Sequence, residues 1–366
     1  MTDTPLLTVQ NLKTQFETNA GTVRAVDGVS FTVERGEIVG LVGESGAGKS
    51  VAVRSLLRLV ESPGRIDGGE VTFDGRTVVG FEDEPDAGGD PVEREEMLSE
   101  SEMRSQIRGN EIALIFQDPM ESLNPVLTVG EQLREFIELN RELSGKEARD
   151  HAIEILREVG IPKPAERFDD YPHQFSGGMR QRVLIAMALG CEPKLIVADE
   201  PTTALDVTVE GQILDMVYDL QEKYETSFLW VTHDMGIVAE ICDRVNVMYL
   251  GEVIERAGVD DLFYDPQHPY TEALLNSIPR PDAPASELQP LEGSMPEPIH
   301  PPAGCRFHDR CPDAREVCTE IHPELREVTS DGQRAACLKH DAFDADYENS
   351  PVLTEDSTAP GGGSRE

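Results

Sequence analysis

An apolar run, Glu37 to Val42, is followed at once by Gly43, Glu44, Ser45, Gly46, Ala47, Gly48, Lys49 and Ser50. Glycine, four variable residues, glycine, lysine and serine in that order form a phosphate-binding loop. Such a loop works only between a buried strand and a helix. Both flanks satisfy this, because Val51 to Val60 carries apolar residues at 51, 53, 56, 57 and 60. The glycines let successive backbone N–H groups turn inward around phosphate oxygens. The helix adds its positive end. In this geometry Lys49 reaches the β- and γ-phosphates and Ser50 ligates Mg²⁺. The feature therefore commits the chain to an α/β fold built on a parallel sheet.

The remaining pattern fits that fold. Residues 6–16 and the stretch around Ser30 to Val33 read as strands ahead of the loop. Glu111–Gln117, Lys194–Ala198 and Ser227–Thr232 are apolar runs of the buried parallel kind. Between them lies a helical block. Thr128 and Glu131 have capping-box spacing; Ser144 is a candidate cap for a helix ending near Gly160. Ser176 is a candidate cap for a helix that runs through Leu189 and stops at Gly190. The acidic, Gly-rich stretch 80–105 reads as a solvated insertion, and the Pro-rich stretch 279–302 as an extended linker.

Charge narrows the function classes. Seventy acidic residues against 32 basic ones give a net charge of −38, and only seven of the basic residues are lysine. Nucleic-acid binding needs clustered Lys and Arg, so nucleic acid is excluded as the main ligand. The acids are spread along the whole chain, as high salt favours, where screening is short-ranged. Hydrophobic residues make up 39% of the chain, enough for a sizeable core. No apolar run approaches the roughly 18 residues of a membrane span. The N-terminus carries no secretory signal pattern.

Further residues complete a nucleotide site. Leu195 to Ala198 bury a strand from which Asp199 and Glu200 emerge. Asp199 can hold Mg²⁺ through water, and Glu200 can act as general base on the attacking water. Gln117 ends another strand. Ser176, Gly177 and Gly178 open a helix, a second anion-binding geometry. His233 follows the strand 227–232. Four cysteines cluster as well: Cys305, Cys311, Cys318 and Cys337, with five, six and eighteen residues between them. That spacing matches neither paired zinc-ribbon motifs nor a tight ferredoxin run. It leaves zinc, an iron–sulfur cluster and free thiols open. His300, His308, His322 and His340 are nearby alternative donors.

In this order, the motifs closely resemble the ATPases of ABC transporters over about residues 6–260. They comprise the loop 43–50, Gln117, the signature Phe175-Ser-Gly-Gly-Met179, the strand 195–200, Ala204-Leu-Asp206 and His233. The resemblance implies a P-loop NTPase with a RecA-like core, an antiparallel β piece and a helical subdomain. It also implies two such domains meeting head to tail, with each ATP between the loop of one and the signature of the other. Lys49 and Ser50 then match the phosphate and Mg²⁺ residues, with Gln117 and Asp199 completing the Mg²⁺ set. Gln117 matches the residue that senses the γ-phosphate and links to the membrane subunit. Glu200 matches the catalytic base, His233 the γ-phosphate switch, and Phe16 the adenine-stacking aromatic, with Val23 as an alternative contact. The signature departs from the family pattern by ending in Met179 where glutamine is usual.

A narrower resemblance rests on Tyr171–Arg182, Asp199–Val207, Pro266–Thr271 and Gly304-Cys-Arg-Phe-His308. These are similar to the dipeptide/oligopeptide (and nickel) importer ATPases and extend the likeness to about residue 340. The resemblance implies a nucleotide-binding domain over 1–262, with its helical subdomain at about 118–192. A Cys-rich extension over 263–345 and a disordered tail over 346–366 complete the expected organisation. It implies a [4Fe–4S] cluster on the four cysteines, with zinc the alternative. The implied partners are a second ATPase subunit, two membrane permeases and an extracellular binding protein, which would place the chain on the cytoplasmic face of the membrane. The competing readings are a soluble non-transport ABC ATPase and a redox-regulated ATPase.

Overall fold

The computed structural model describes residues 4–81, 92–117, 122–203, 205–278, 293–340, 343 and 346–353. Linker residues 279–292, Ala204 and the tail from 354 onward lie outside the described residues. The first two strands are long: β1 (Leu7–Thr18) and β2 (Gly21–Val33). β3 (Ile38–Val42) is buried throughout and leads through the loop 43–48 into α1 (Lys49–Leu56). β4 (Gly64–Phe73) and β5 (Arg76–Gly80) complete a four-stranded antiparallel sheet, ordered β2-β1-β4-β5.

The main sheet is built on β6 (Ile112–Ile115), β7 (Leu195–Asp199), β8 (Ser227–Thr232) and β9 (Arg244–Tyr249). β10 (Glu252–Gly258) and two short strands, β11 (Arg326–Glu327) and β12 (Arg334–Ala335), extend it. Its order is β11-β12-β10-β9-β3-β8-β7-β6. The pairs β9–β3, β3–β8, β8–β7 and β7–β6 are parallel. Every residue of β7 and of β8 is buried, as expected for strands covered on both faces. The loops after β3, β6, β7 and β8 therefore open at one edge of the sheet, where open α/β sheets bind ligands.

Local capping rules set the helical block. Thr128 accepts from the Glu131 amide at 3.2 Å, and the Glu131 carboxylate accepts from the Thr128 amide at 2.9 Å. This box opens the helix Val129–Asn140 and is worth about 1 kcal/mol. Ser176 caps the helix Gly177–Leu189 by accepting from the Met179 amide at 3.3 Å. The helix Lys146–Glu158 differs from expectation: Gly145, not Ser144, precedes it, at φ 58°.

Two other expectations need correction. The stretch 80–105 is not all solvated loop. A capping box on Ser99 and Glu102 starts a short helical turn, and Met103 and Ile107 at its end are fully buried. The described acids of this stretch, Glu93, Glu95, Glu96, Glu100 and Glu102, are exposed and conceal this brief inward pair, while residues 82–91 lie outside the described residues. Likewise, the tail expected from 346 is packed through Leu353. Tyr347 Oη donates to the Asp313 carbonyl at 2.6 Å, and the Leu353 amide donates to the Ala314 carbonyl at 2.9 Å.

The extension continues the main sheet, because β12 pairs antiparallel with β10 through Glu255↔Ala335 and Arg256↔Arg334. Glu255 is fully buried and accepts from the amides of Gln267 and His268, at 2.6 and 2.9 Å, and from Gln333 Nε2 at 3.0 Å. His268 caps the helix Pro269–Asn276, its Nδ1 accepting from the Tyr270 amide at 3.0 Å. Burial, with lesser pushes from Lys339 and His340, pulls the His268 pKa down to about 3. A histidine held neutral in the fold but charged when unfolded takes up protons on unfolding, so stability falls as pH drops below about 6.5. Between pH 7 and pH 5 the native chain is expected to lose about 2 kcal/mol more than His268→Asn, which keeps an acceptor at the cap. Thermal midpoints of both proteins at the two pH values check this; equal losses would remove His268 as the cause.

Candidate active site

The loop 43–48 leaves β3 with Ser45 and Gly46 exposed and Ala47 buried. Gly48 takes a left-handed conformation, φ 101°, and aims Lys49 back over the loop. Lys49 is 5% exposed. Its Nζ donates to the carbonyls of Gly43 and Glu44, at 2.8 and 3.1 Å, and lies 3.8 Å from Glu200 Oε1. Burial lowers the Lys49 pKa, while Glu200, Asp199 and Glu44 push it back up. At the end of β7, Asp199 Oδ1 accepts from Ser50 Oγ at 3.0 Å. Burial raises the Asp199 pKa, against the Ser50 hydrogen bond.

Glu200 is the meeting point. Its φ of 46° is unusual for a residue with a side chain and such strain concentrates at functional sites. The Glu200 amide is tied to the Val231 carbonyl at 2.9 Å. Its Oε1 lies 3.3 Å from His233 Nδ1, and its Oε2 accepts from Gln117 Nε2 at 3.1 Å and from Thr203 Oγ1 at 3.2 Å. Groups from four strand ends thus converge on one carboxylate. Beside it opens a cavity of about 1050 Å³, lined by Ser50, Arg54, Phe116, Gln117, Asp199 and Thr203 among others. The sequence reading missed Thr203, which has no local motif of its own.

Other candidates lie apart. Gly177 adjoins Leu205, just before the helix Val207–Tyr224, and Gly178 adjoins Val209 in its first turn. Among the described residues no hydrogen bond joins 176–179 to the loop 43–50. Met179 packs half-buried against the main core. Phe16 stands opposite Val23 and Gly64, and its ring covers Gly64 so closely that a Cβ there would lie 2.4 Å from it. The two aromatic-site candidates, Phe16 and Val23, are therefore cross-strand neighbours.

The four extension cysteines do share one region. The Cys305 amide donates to the Cys318 carbonyl at 2.8 Å. Burial first, and then the other cysteines, raise the Cys305 pKa, and that of Cys311 to about 12. Cys337 rises to about 11, again mainly through burial. Among the described residues, however, no three His, Cys, Asp or Glu side chains converge closely enough to hold a metal ion. Three of the four expected alternative donors are engaged elsewhere: His308 Nδ1 is 2.7 Å from the Cys305 carbonyl and its Nε2 3.0 Å from Asp309. His322 lies between the Gly304 carbonyl at 3.0 Å and Glu252 at 3.2 Å, and His340 Nε2 is 2.8 Å from the Gln267 carbonyl. Among the described residues no helix is long and apolar enough to cross a membrane.

Comparison with known proteins agrees with this geometry. The ABC transporter family matches residues 26–203, and the oligopeptide/dipeptide transporter C-terminal region matches residues 254–318. The oligopeptide transport ATP-binding protein AppD of Bacillus subtilis is 46% identical over 337 residues, 92% of this chain and 97% of AppD. OppD of Salmonella typhimurium, an oligopeptide transport ATP-binding protein, is 44% identical over 91% of this chain and 93% of its own length. The ATP-binding cassette MJ0796, solved as a dimer bound to ADP and Pi, superposes with a TM-score of 0.58 at 27% identity. That match covers 69% of this chain and 98% of the cassette. cbiO1 from Clostridium perfringens gives a TM-score of 0.56 at 27% identity, over 71% of this chain and 91% of cbiO1. The chain belongs to the ABC transporter ATP-binding family, in the branch that carries the oligopeptide/dipeptide transporter C-terminal region.

Proposed function

We propose that this chain hydrolyses ATP to energise an importer of di- or oligopeptides, with nickel the alternative cargo. The observation that carries the ATPase part is the convergence of Gln117, Thr203 and His233 on Glu200, beside Lys49. The peptide part is supported by the names of the AppD and OppD relatives and by the shared C-terminal region. In this reading the loop 43–48 and Lys49 hold the β- and γ-phosphates. Ser50 Oγ and Asp199 Oδ1, two hard oxygen donors 3.0 Å apart, fit Mg²⁺, with Gln117 as a third donor. When bound, the ion neutralises charge between phosphate oxygens. Glu200 takes a proton from the attacking water. His233 and Gln117 fix the two carboxylate oxygens so that one lone pair faces that water.

Ser176, Gly177 and Gly178 lie away from this chain's own loop and serve the nucleotide of a second ATPase subunit. Closure of the two subunits around ATP, and release on hydrolysis, drives two membrane permeases from their cytoplasmic face. An extracellular binding protein delivers the cargo. Cys305, Cys311, Cys318 and Cys337 are by chemistry the donor set of a [4Fe–4S] cluster. As placed they do not converge on one ion, so a cluster would have to draw them together and would then staple the extension to the sheet. The spread of acid, −38 in all, suits work in concentrated salt.

The test is reconstitution with both permeases, the second ATPase subunit and the binding protein in vesicles, with iron, sulfide and zinc counted beforehand. ATP-dependent accumulation of a labelled peptide is expected. Nickel uptake without peptide uptake would reassign the cargo. Co-purification with ribosomes or DNA, and no permease, would overturn the transport reading. About four irons per chain support the cluster, and zinc replaces it.

A further inference from the structure

Glu44 is an awkward residue in a loop built to hold a triphosphate. It sits one residue after Gly43, its carbonyl accepts from Lys49 Nζ at 3.1 Å, and its carboxylate is one of the charges that act on Lys49. A free carboxylate here repels the phosphates that the loop must hold. The extension supplies the countercharge. Arg310 grips the Glu44 carboxylate with both arms of its fork, Nη1 to Oε2 and Nη2 to Oε1, each at 3.2 Å. The Arg310 side chain is only 6% exposed, so this pair is far less screened than a surface ion pair. Tyr270 completes the hold, its hydroxyl accepting from the Glu44 amide at 3.0 Å.

The clamp is itself firmly seated. Tyr249, Tyr270 and Phe307 form a buried aromatic triangle with centroids 4.7, 5.3 and 5.4 Å apart. The Arg310 guanidinium lies 5.8 Å from the Tyr249 ring and 6.0 Å from the Phe307 ring. Phe307 and Arg310 both belong to the turn between Cys305 and Cys311. From the same turn Arg306 donates to the Leu250 carbonyl at 2.6 Å, next to Gly251, whose amide donates to the Ala47 carbonyl at 2.9 Å. The cysteine-bearing turn thus supports the phosphate loop at both of its ends.

We propose that Arg310 is a positioning residue of the ATP site: it cancels the Glu44 charge and fixes the loop, so that the C-terminal extension completes the phosphate-binding surface. The inference rests on reading 43–50 as the ATP-phosphate loop, and the experiment separates the two. Equilibrium binding of ATP to the full chain is measured in the lowest salt at which the native melting transition persists. Arg310→Ala is expected to weaken binding about tenfold, and Arg310→Lys, which keeps the charge and loses the fork, about threefold. Adding Glu44→Gln to Arg310→Ala is expected to restore binding to within about threefold of the native chain, because the uncompensated charge is then gone. Loss of the extension's structure alone would not be rescued in this way. If Arg310→Ala fails to fold, Arg310→Lys with and without Glu44→Gln carries the same comparison. Native binding in Arg310→Ala, or no rescue by Glu44→Gln, overturns the proposal. Native binding in Lys49→Ala would instead overturn the loop reading beneath it.

Discussion

ATP turnover by Glu200→Gln is expected to fall by at least about a hundredfold, the usual contribution of a positioned general base, while ATP still binds. The geometry explains both halves. Glutamine keeps the size of Glu200 and can keep contacts to Gln117 and Thr203, now 3.1 and 3.2 Å from Oε2. It cannot accept a proton from water. Lys49, Ser50 and the loop amides are untouched, so the phosphates should still be held and the two-subunit sandwich should still close. Single-turnover hydrolysis, together with size-exclusion chromatography of the variant with its partner ATPase and ATP, checks this. A slow variant that accumulates as a nucleotide-bound dimer is the expected result. Full turnover would remove Glu200 from the role of base and leave Asp199 and Glu61, the acids that line the cavity among the described residues, to consider.

Some of this site is legible in the sequence and some is not, and the division follows the range of the forces. The phosphate loop is legible because every constraint on it is local: an apolar strand, glycines where the backbone must turn, and a helix. The box of Thr128 and Glu131 and the Ser176 cap are legible for the same reason, each closing within three residues. Convergence on Glu200 is another matter. It needs β3, β8, β7 and β6 to be neighbours in that order, which no window of residues contains. His233 and Gln117 were therefore nameable by family likeness, whereas Thr203 was not. The extension shows the limit most clearly. Arg310 and Glu44 are 266 positions apart, and nothing in the sequence near either residue points to the other. Nor does β12, a two-residue strand, carry a periodic signal. It forms because β10 offers an unpaired edge and Glu255 needs buried donors.

Gly48→Ala is the second change expected to have a large effect, and the contrast with Gly46→Ala makes it informative. Both glycines have positive φ, 101° and 88°, so alanine at either position costs about 1–2 kcal/mol in backbone conformation. Only Gly48 is also enclosed. A Cβ there would lie 2.1 Å from the Ala25 carbonyl oxygen and 3.0 Å from Met248 Cε, whereas a Cβ on Gly46 meets nothing within 4 Å. Ala25 falls at a bulge between the Thr14↔Val26 and Gln15↔Arg24 pairs, but both of its neighbours are held in the ladder with β1, so it cannot retreat easily. The Asp27 amide also holds the Gly251 carbonyl at 2.8 Å, and the Gly251 amide holds that of Ala47 at 2.9 Å. The loop must therefore move, and Lys49, the next residue, moves with it. A displacement of the order of 1 Å at this point is expected to lower turnover about a hundredfold. Gly46→Ala is expected to lower the stability by its conformational cost while keeping turnover within about tenfold. Thermal melts and ATPase rates of the two variants, side by side, decide the matter. Equal losses of turnover would mean that backbone conformation, not the approach of Ala25, dictates glycine at both places. Native turnover in Gly48→Ala would mean that the loop tolerates the shift, and that Lys49 reaches the phosphates from more than one position.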